Sequence, residues 1–420
     1  MALGEVGLPV HPLLREALAD AAGSNAYGPI AGLPALRAAA AGYWSRRGMP
    51  TAPGQVLVGP GSKALLFALR LAIGGDVVLP RPSWVSYAAQ ASILGGRSWP
   101  VAIRPGEGGV PDPAALARTV ALARAAGHEV RQILVTLPDN PTGTYASAET
   151  IRELCQVARE QDLVIVSDEI YRDLVHVPGA HLPSPAEYAP ERTIVTTGLS
   201  KSHALGGWRL GVARFPDSCT GRRLRDRIIG IGSEIWSAPV HPVQHAAVLA
   251  FDEPRELVAH VQQCNVLHAS VANAVADICA GHGVLPHRPA AAFYVYADFG
   301  THRRRLERDA GITSGEALAH TLTAGHGCGV LPGAVFGDRA SALRVRLATS
   351  LLYGVDDEQR QAALESEKPT ELAWISAALE QWDAALAATT ATRRPPDPKA
   401  LQSGASAEPA AGGVKGAGGR

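Results

Sequence analysis

From Gln55 onward the chain repeats one unit: a short apolar strand, a polar turn, then a helix. Val56-Leu57-Val58 runs into the turn Gly59-Pro60-Gly61-Ser62 and a helical pattern over residues 63–73. Val77-Val78-Leu79 leads to Pro80-Arg81-Pro82-Ser83-Trp84 and a helix, and Ile133-Leu134-Val135 leads to Asn140-Pro141-Thr142-Gly143 and another. Leu163-Val164-Ile165-Val166 then leads to Ser167-Asp168. Strands that alternate with helices predict an α/β fold, a three-layer and mostly parallel sheet with helices on both faces. Ligands of such sheets bind outside the carboxyl ends of the strands. The polar residues at those ends are therefore the candidates for function.

The flanks read differently. Residues 1–32 are short helices and turns, with Pro12 opening a helix that reaches about residue 21 and Tyr27 standing in a loop; a helix over 33–47 follows, with Pro34 in its first turn. Beyond Phe251 a long helical pattern runs to about residue 280, with Asp252 as its N-cap and Pro254 in its first turn. Strands at 293–297 and 343–348 and helices at 314–324 and 370–388 complete a smaller α+β unit. The expected domains are an N-terminal segment 1–32 joining the small domain, a large domain 33–265 and a small domain 266–392. A tail at 393–420, rich in Pro, Ala, Gly and Ser, is too poor in apolar side chains to order itself.

Composition removes several classes of function. Lys plus Arg and Asp plus Glu both number 39, so no net field draws the chain to nucleic acid or to an anionic membrane. No apolar run approaches the ~20 residues that cross a bilayer, and the first residues lack a signal-peptide pattern, so a cytoplasmic protein is expected. The five cysteines contain no Cys-x-x-Cys pair and the fourteen histidines no His-Glu-x-x-His. Neither a disulfide framework nor a metal centre is implied.

Five side chains at or just beyond strand ends are chemically complementary: Asn140, Asp168, Tyr171, Lys201 and Arg209. Lys201, set among small residues, is an amine able to form a Schiff base with a carbonyl cofactor, and Arg209 offers fixed positive charge for a phosphate. A pyridine ring acts as an electron sink only while its nitrogen stays protonated, a task for a buried carboxylate such as Asp168. Asn140 and Tyr171 can donate hydrogen bonds to a phenolic oxygen. Gly61, Ser62 and Lys63 open a helix directly after a strand, a natural phosphate cradle, and Trp84 can stack on the ring.

These residues carry a resemblance. Ser200-Lys201-Ser202, Gly207-Trp208-Arg209, Asn140-Pro141-Thr142-Gly143, the Asp168/Tyr171 pair and Pro82-Ser83-Trp84 resemble the class I and II aminotransferases, the aspartate aminotransferase family of fold-type I pyridoxal phosphate enzymes. So do Phe293-Tyr294, Leu331-Pro332-Gly333 and Leu343-Arg344-Val345-Arg346-Leu347-Ala348, and the likeness spans about residues 3–388. The resemblance implies pyridoxal 5'-phosphate as cofactor and Lys201 as its Schiff-base lysine and proton carrier. Gly61, Ser62, Lys63, Trp84, Asn140, Asp168, Tyr171 and Arg209 would hold the cofactor. It also implies a homodimer in which Tyr27 reaches the neighbour's phosphate. Arg344 would grip the substrate carboxylate, with Asn140 and Gly4 beside it. Arg346, two positions on, is assigned to the opposite face of the strand and read as structural.

Three departures from the family pattern stand out. Gly198 replaces a serine three positions before the lysine, Lys63 stands where many relatives carry a small or polar residue, and the short N-terminus implies either a start internal to a longer protein or an absent lid and a more open site. The implied reaction is ping-pong transfer of an amino group from an L-amino acid to a 2-oxo acid. The same scaffold also serves β-elimination, decarboxylation, cyclisation and oxidative deamination. A cofactor-sensing transcription regulator would carry a DNA-binding domain ahead of Leu3, and a dinucleotide-binding fold lacks its Gly-x-Gly-x-x-Gly. Substrate choice is not written in any motif. Trp236 and the Tyr43-Trp44 pair are read as core rather than as a side-chain pocket.

Overall fold

The computed structural model describes residues 4–390, and the tail expected at 393–420 lies outside them. Seven strands form the large sheet: β1 Val56–Gly59, β2 Asp76–Arg81, β3 Ser98–Ala102, β4 Val130–Thr136, β5 Val164–Asp168, β6 Thr193–Gly198 and β7 Gly211–Arg214. Their order is β1-β7-β6-β5-β4-β2-β3. All neighbouring pairs are parallel except those of β7, which runs against both β1 and β6. Two reversals cancel, so β1 points the same way as β2, β4, β5 and β6. With β3 parallel to β2, six carboxyl ends consequently open on one edge of the sheet.

The strands are apolar because both faces are covered. Ile133, Val135, Ile165 and Val195 are fully buried, and Leu134 and Val166 nearly so. Ile133, Val135 and Ile165 pack under helices Pro113–Ala125 and Ala148–Glu160, Val195 packs with helix Pro34–Arg46, and Leu134, Val166 and Ile194 join helix Ser62–Ile73 on the other face. Tyr43 and Trp44 are core residues, as read from the sequence, whereas Trp236 is only partly buried at the edge of a cluster.

A second, antiparallel sheet joins β8 Tyr294–Asp298, β9 Leu331–Pro332 and β10 Arg344–Ala348 in the order β8-β10-β9. Val345 and Leu347 of β10 point into a core with Trp382 of the final helix, Ala373–Thr390. Side chains alternate along a strand, so Arg344, Arg346 and Ala348 share the other face. The sequence reading, which set the two arginines on opposite faces, is corrected here.

Helix Arg255–Gly281 links the two units. Asp252 is not its N-cap: it ends the preceding helix, His241–Asp252, and Glu253 adopts a left-handed φ of 57° before Pro254 caps the long helix. Pro254 forbids continuous helical hydrogen bonding at this point, which is why one periodic stretch becomes two helices.

Candidate active site

β6 ends at Gly198 and passes straight into the single turn Leu199–Ser202, which carries Lys201. The Lys201 ammonium donates to the Gly4 carbonyl and lies 5.9 Å from the ring centroids of both Tyr171 and Phe293. Burial pushes its pKa down to about 8; Arg346 and Arg209 act in the same direction, against Glu5 and Asp168. A lysine in this state is deprotonated in a useful fraction near neutral pH.

Asp168, the last residue of β5, is buried. Tyr87 donates to its Oδ2 at 2.8 Å and Thr196 to its Oδ1 at 3.2 Å. Burial nevertheless dominates and lifts the carboxyl to about 6. Asn140 follows β4 in the Asp139–Gly143 turn, which the Gly143 N–H closes onto the Asp139 carbonyl. Its Nδ2 lies 3.5 Å from the Tyr171 hydroxyl, which is 2.8 Å from that of Tyr294.

On the other side, Asn140 Oδ1 accepts from Arg346 at 3.0 Å. The Arg346 guanidinium is buried between the rings of Tyr294 and Phe336, 4.9 Å from each centroid. Arg344 is at the outer end of the same face, opposite Asp298 in the register. It is neutralised there by Asp298 at 2.7 Å and Asp338 at 3.2 Å, with the side chain 39% exposed. The expected carboxylate-gripping role of Arg344 is thus not what the geometry supports. Two acids already occupy it, and the arginine beside Asn140 is Arg346.

At the β1 end, Gly61 has φ +91° and a Cβ there would collide with Arg209 Nη2, so the guanidinium rests directly on the turn. Gly211 of β7 approaches as closely: a Cβ on it would collide with the Ser62 amide nitrogen. Arg209 itself is left-handed, at φ 53°. Lys63 is exposed, its ammonium 5.0 Å from the Trp84 ring centroid, and Trp84 packs edge-on against Tyr87 at 5.2 Å. Gly198 is small for a packing reason, since a Cβ would lie 2.7 Å from the Leu210 carbonyl oxygen.

Lys201, Asp168, Asn140 and Tyr171 are therefore assembled around one crevice, with Arg209, Gly61 and Ser62 at one end. Gly4 joins them, close against Tyr294. Val6 and Leu8, next to it in the chain, are buried in the cluster that holds Tyr171 and Tyr294. Tyr27 is 81% exposed, away from this chain's own crevice. Tyr87 and Thr196 were not among the expected site residues, and Arg346 was read as structural. For Tyr87 a signal existed: Trp84-x-x-Tyr87 at the start of helix Val85–Ile93 sets the two rings one turn apart.

A lysine held at low pKa, a buried carboxylate on the neighbouring strand and a glycine turn under an arginine define the class of fold-type I pyridoxal phosphate enzymes. The model of the family "Aminotransferase class I and II" matches residues 5–365, and the chain belongs to that family. It is 32% identical over 355 residues to the probable aspartate/prephenate aminotransferase of Thermus aquaticus, covering 84% of each chain. To the aspartate/prephenate aminotransferase of Thermus thermophilus it is 31% identical over 360 residues, 85% of each. The Thermus thermophilus aspartate aminotransferase solved with maleate superposes with a TM-score of 0.75 at 28% identity, over 91% of this chain and 90% of that one. The protein is a pyridoxal phosphate-dependent aminotransferase, and its relatives favour transamination over the other reactions of the scaffold. Among the described residues no helix is long and apolar enough to cross a membrane, and no cluster of metal-binding side chains occurs.

Proposed function

We propose that this aminotransferase takes its amino group from L-aspartate through Lys201, with Arg346 as the carboxylate clamp. The observation that carries the reading is the chain Lys201, Tyr171, Asn140, Arg346: a low-pKa amine and a buried guanidinium facing one crevice. Aspartate as donor rests on the names of the relatives, and maleate, the molecule in the solved relative, is likewise a dicarboxylate.

The residues present fit pyridoxal phosphate. Asp168 is a buried carboxyl raised to about 6, an environment that a protonated ring nitrogen would relieve, and the Gly61 turn leaves backbone bare beneath Arg209. Asp168 would hold the ring nitrogen, Asn140 and Tyr171 the phenolic oxygen, and Trp84 the ring face. Gly61, Ser62 and Arg209 would hold the phosphate, with Lys63 adding charge at its rim. Bound there, the cofactor supplies the electron sink that makes a substrate α-proton acidic.

The chain's own residues do the rest. Lys201 Nζ would take the substrate α-proton and deliver it two atoms along, beyond the amino nitrogen, which its lowered pKa permits near neutrality. Arg346, fixed by Asn140 and sandwiched by two rings, orients the substrate carboxylate through a planar fork. Tyr87 and Thr196 hold the Asp168 carboxylate in one orientation.

A homodimer completes the reading. Tyr27, Ile235 and Val240 are 81%, 60% and 52% exposed, and the His241 ring ties the Ala26 carbonyl to the Val240 segment at 2.7 Å. This apolar face suits a second copy, whose phosphate Tyr27 would reach. Free, scattered cysteines accord with a cytoplasmic setting. The test is the purified protein's visible absorbance and product. A cofactor band absent from Lys201→Ala, and keto acid formed from L-aspartate only when a 2-oxo acid is supplied, support the proposal. Ammonia release without an acceptor refutes it.

A further inference from the structure

A cavity of about 930 Å³ lies behind the lysine-bearing turn, walled by Thr197, Gly198, Leu199, Ser202 and His203 but by none of Lys201, Asp168, Asn140, Tyr171 and Arg209. It abuts the catalytic segment without belonging to the crevice, and its size is that of a small-molecule site. Helix Arg255–Gly281 and the stretch 172–182 form the other walls.

Four polar side chains in these walls hold buried atoms without a hydrogen-bond partner: Arg172 Nε, His176 Nδ1, His203 Nδ1 and Asn265 Oδ1. Arg172 and His203 are each only 7% exposed. Each such atom is destabilising while it stays unpaired, so an occupant that satisfies them is favoured. The requirement is specific: Arg172 Nε donates, Asn265 Oδ1 accepts, and the His203 ring, held neutral by burial, can do either.

The charged side chains of the wall are paired, Glu187 with His181 at 3.0 Å and Arg172 at 4.0 Å. Arg47 pairs with Asp173 at 2.8 Å and Glu253 at 2.5 Å, Arg46 with Glu253 at 2.8 Å, and Arg172 with the buried Glu169 at 2.8 Å. An ion entering the cavity would find no free countercharge, whereas Val175, Leu257, Val258 and Val261 offer an apolar bed.

We propose that this cavity is a regulatory site for a small, electrically neutral amphiphile whose amide or hydroxyl group accepts from Arg172 and donates to Asn265. Its occupant braces the Thr197–His203 segment and so the position of Lys201. The site is independent of which amino acid the enzyme uses.

The probe is N-acetyl-L-leucinamide, which has neither a free amine for Lys201 nor a carboxylate for Arg346. Binding to the holoenzyme is measured by calorimetry with and without saturating substrate dicarboxylate. Wild type is compared with Val261→Trp, which fills the cavity, and with Val258→Trp at its mouth, where the native residue is 38% exposed and folding is spared. The expected result is saturable binding that persists in the presence of the dicarboxylate, weakens at least tenfold in the folded tryptophan variants, and moves the pH midpoint of the cofactor absorbance. Absence of saturable binding overturns the proposal. So does competition by the dicarboxylate, equal binding in Val258→Trp, or tighter binding of the anionic N-acetyl-L-leucine.

Discussion

Replacing Asp168 by asparagine should change how the cofactor-free protein responds to pH. Burial raises this carboxyl from 3.8 to about 6, so at 1.36 kcal/mol per pH unit its ionisation in the folded state costs about 3 kcal/mol. The sign follows from proton binding: a carboxyl with a raised folded pKa keeps its proton longer in the folded state. Its favourable contribution is present below about pH 4 and is lost as pH rises through about 6. In Asp168→Asn the new side chain cannot ionise, yet its amide is nearly isosteric, and the Tyr87 and Thr196 hydroxyls can turn to meet it. Urea unfolding of both apoproteins at pH 4 and pH 7 isolates the effect, because every other titrating group cancels in the difference. The stability of the variant relative to wild type should rise by about 2.4 kcal/mol between the two pH values, since the unfolded carboxyl is already partly ionised at pH 4. A cationic ring nitrogen beside Asp168 should restore that stability to wild type alone, leaving the variant about 100-fold weaker in pyridoxal phosphate affinity. A change of less than about 1 kcal/mol between pH 4 and 7 would show that the carboxyl is not strained by burial, and the reasoning fails.

Tyr87→Phe removes a donor to the ionised form, so the same pH window should extend upward by about one to two units, read from the same unfolding series. Arg346→Lys should raise KM for the amino acid at least tenfold by losing the planar fork, whereas Arg344→Lys, at a half-open ion pair, should leave KM within about twofold. The reverse pattern would return the clamp to Arg344, and equal effects would refute its assignment to Arg346 alone. Gly198→Ser places a side chain 2.7 Å from the Leu210 carbonyl oxygen, and a loss of about 1–3 kcal/mol in unfolding free energy is expected. An unchanged melting temperature would mean that the turn yields freely. Gly61→Ala, at φ +91° and against Arg209, should weaken cofactor binding about tenfold or more by equilibrium dialysis.

Much of this was legible in the chain because the relevant signals are local. A run such as Val164-Ile165-Val166 followed by Ser167-Asp168 announces both a buried strand and its functional end, and Lys201 and Arg209 lie within one short sequence motif. What escaped depends on partners far along the chain. β3 contains Pro100 and lies on the sheet edge, so its pattern is weak. The helix Asp357–Glu365 was overlooked amid polar sequence. Arg344 matched the family motif, yet which of two arginines on one face meets Asn140 is decided by Asp298 and Asp338, one of them 46 residues away. The cavity behind Lys201 joins residues from 43 to 266 and has no sequence signature at all.

The reversed strand β7 has a mechanical result. Gly198 pairs with Gly211 across β6 and β7, so residues 199–210 form a short span anchored at both abutments in the rigid sheet. Lys201 and Arg209 ride on that one span and cannot drift apart. The two attachments proposed for the cofactor, one covalent and one ionic, would thereby keep a fixed gauge that the sheet itself enforces, and lengthening the span by even a few residues would uncouple them while leaving each side chain intact.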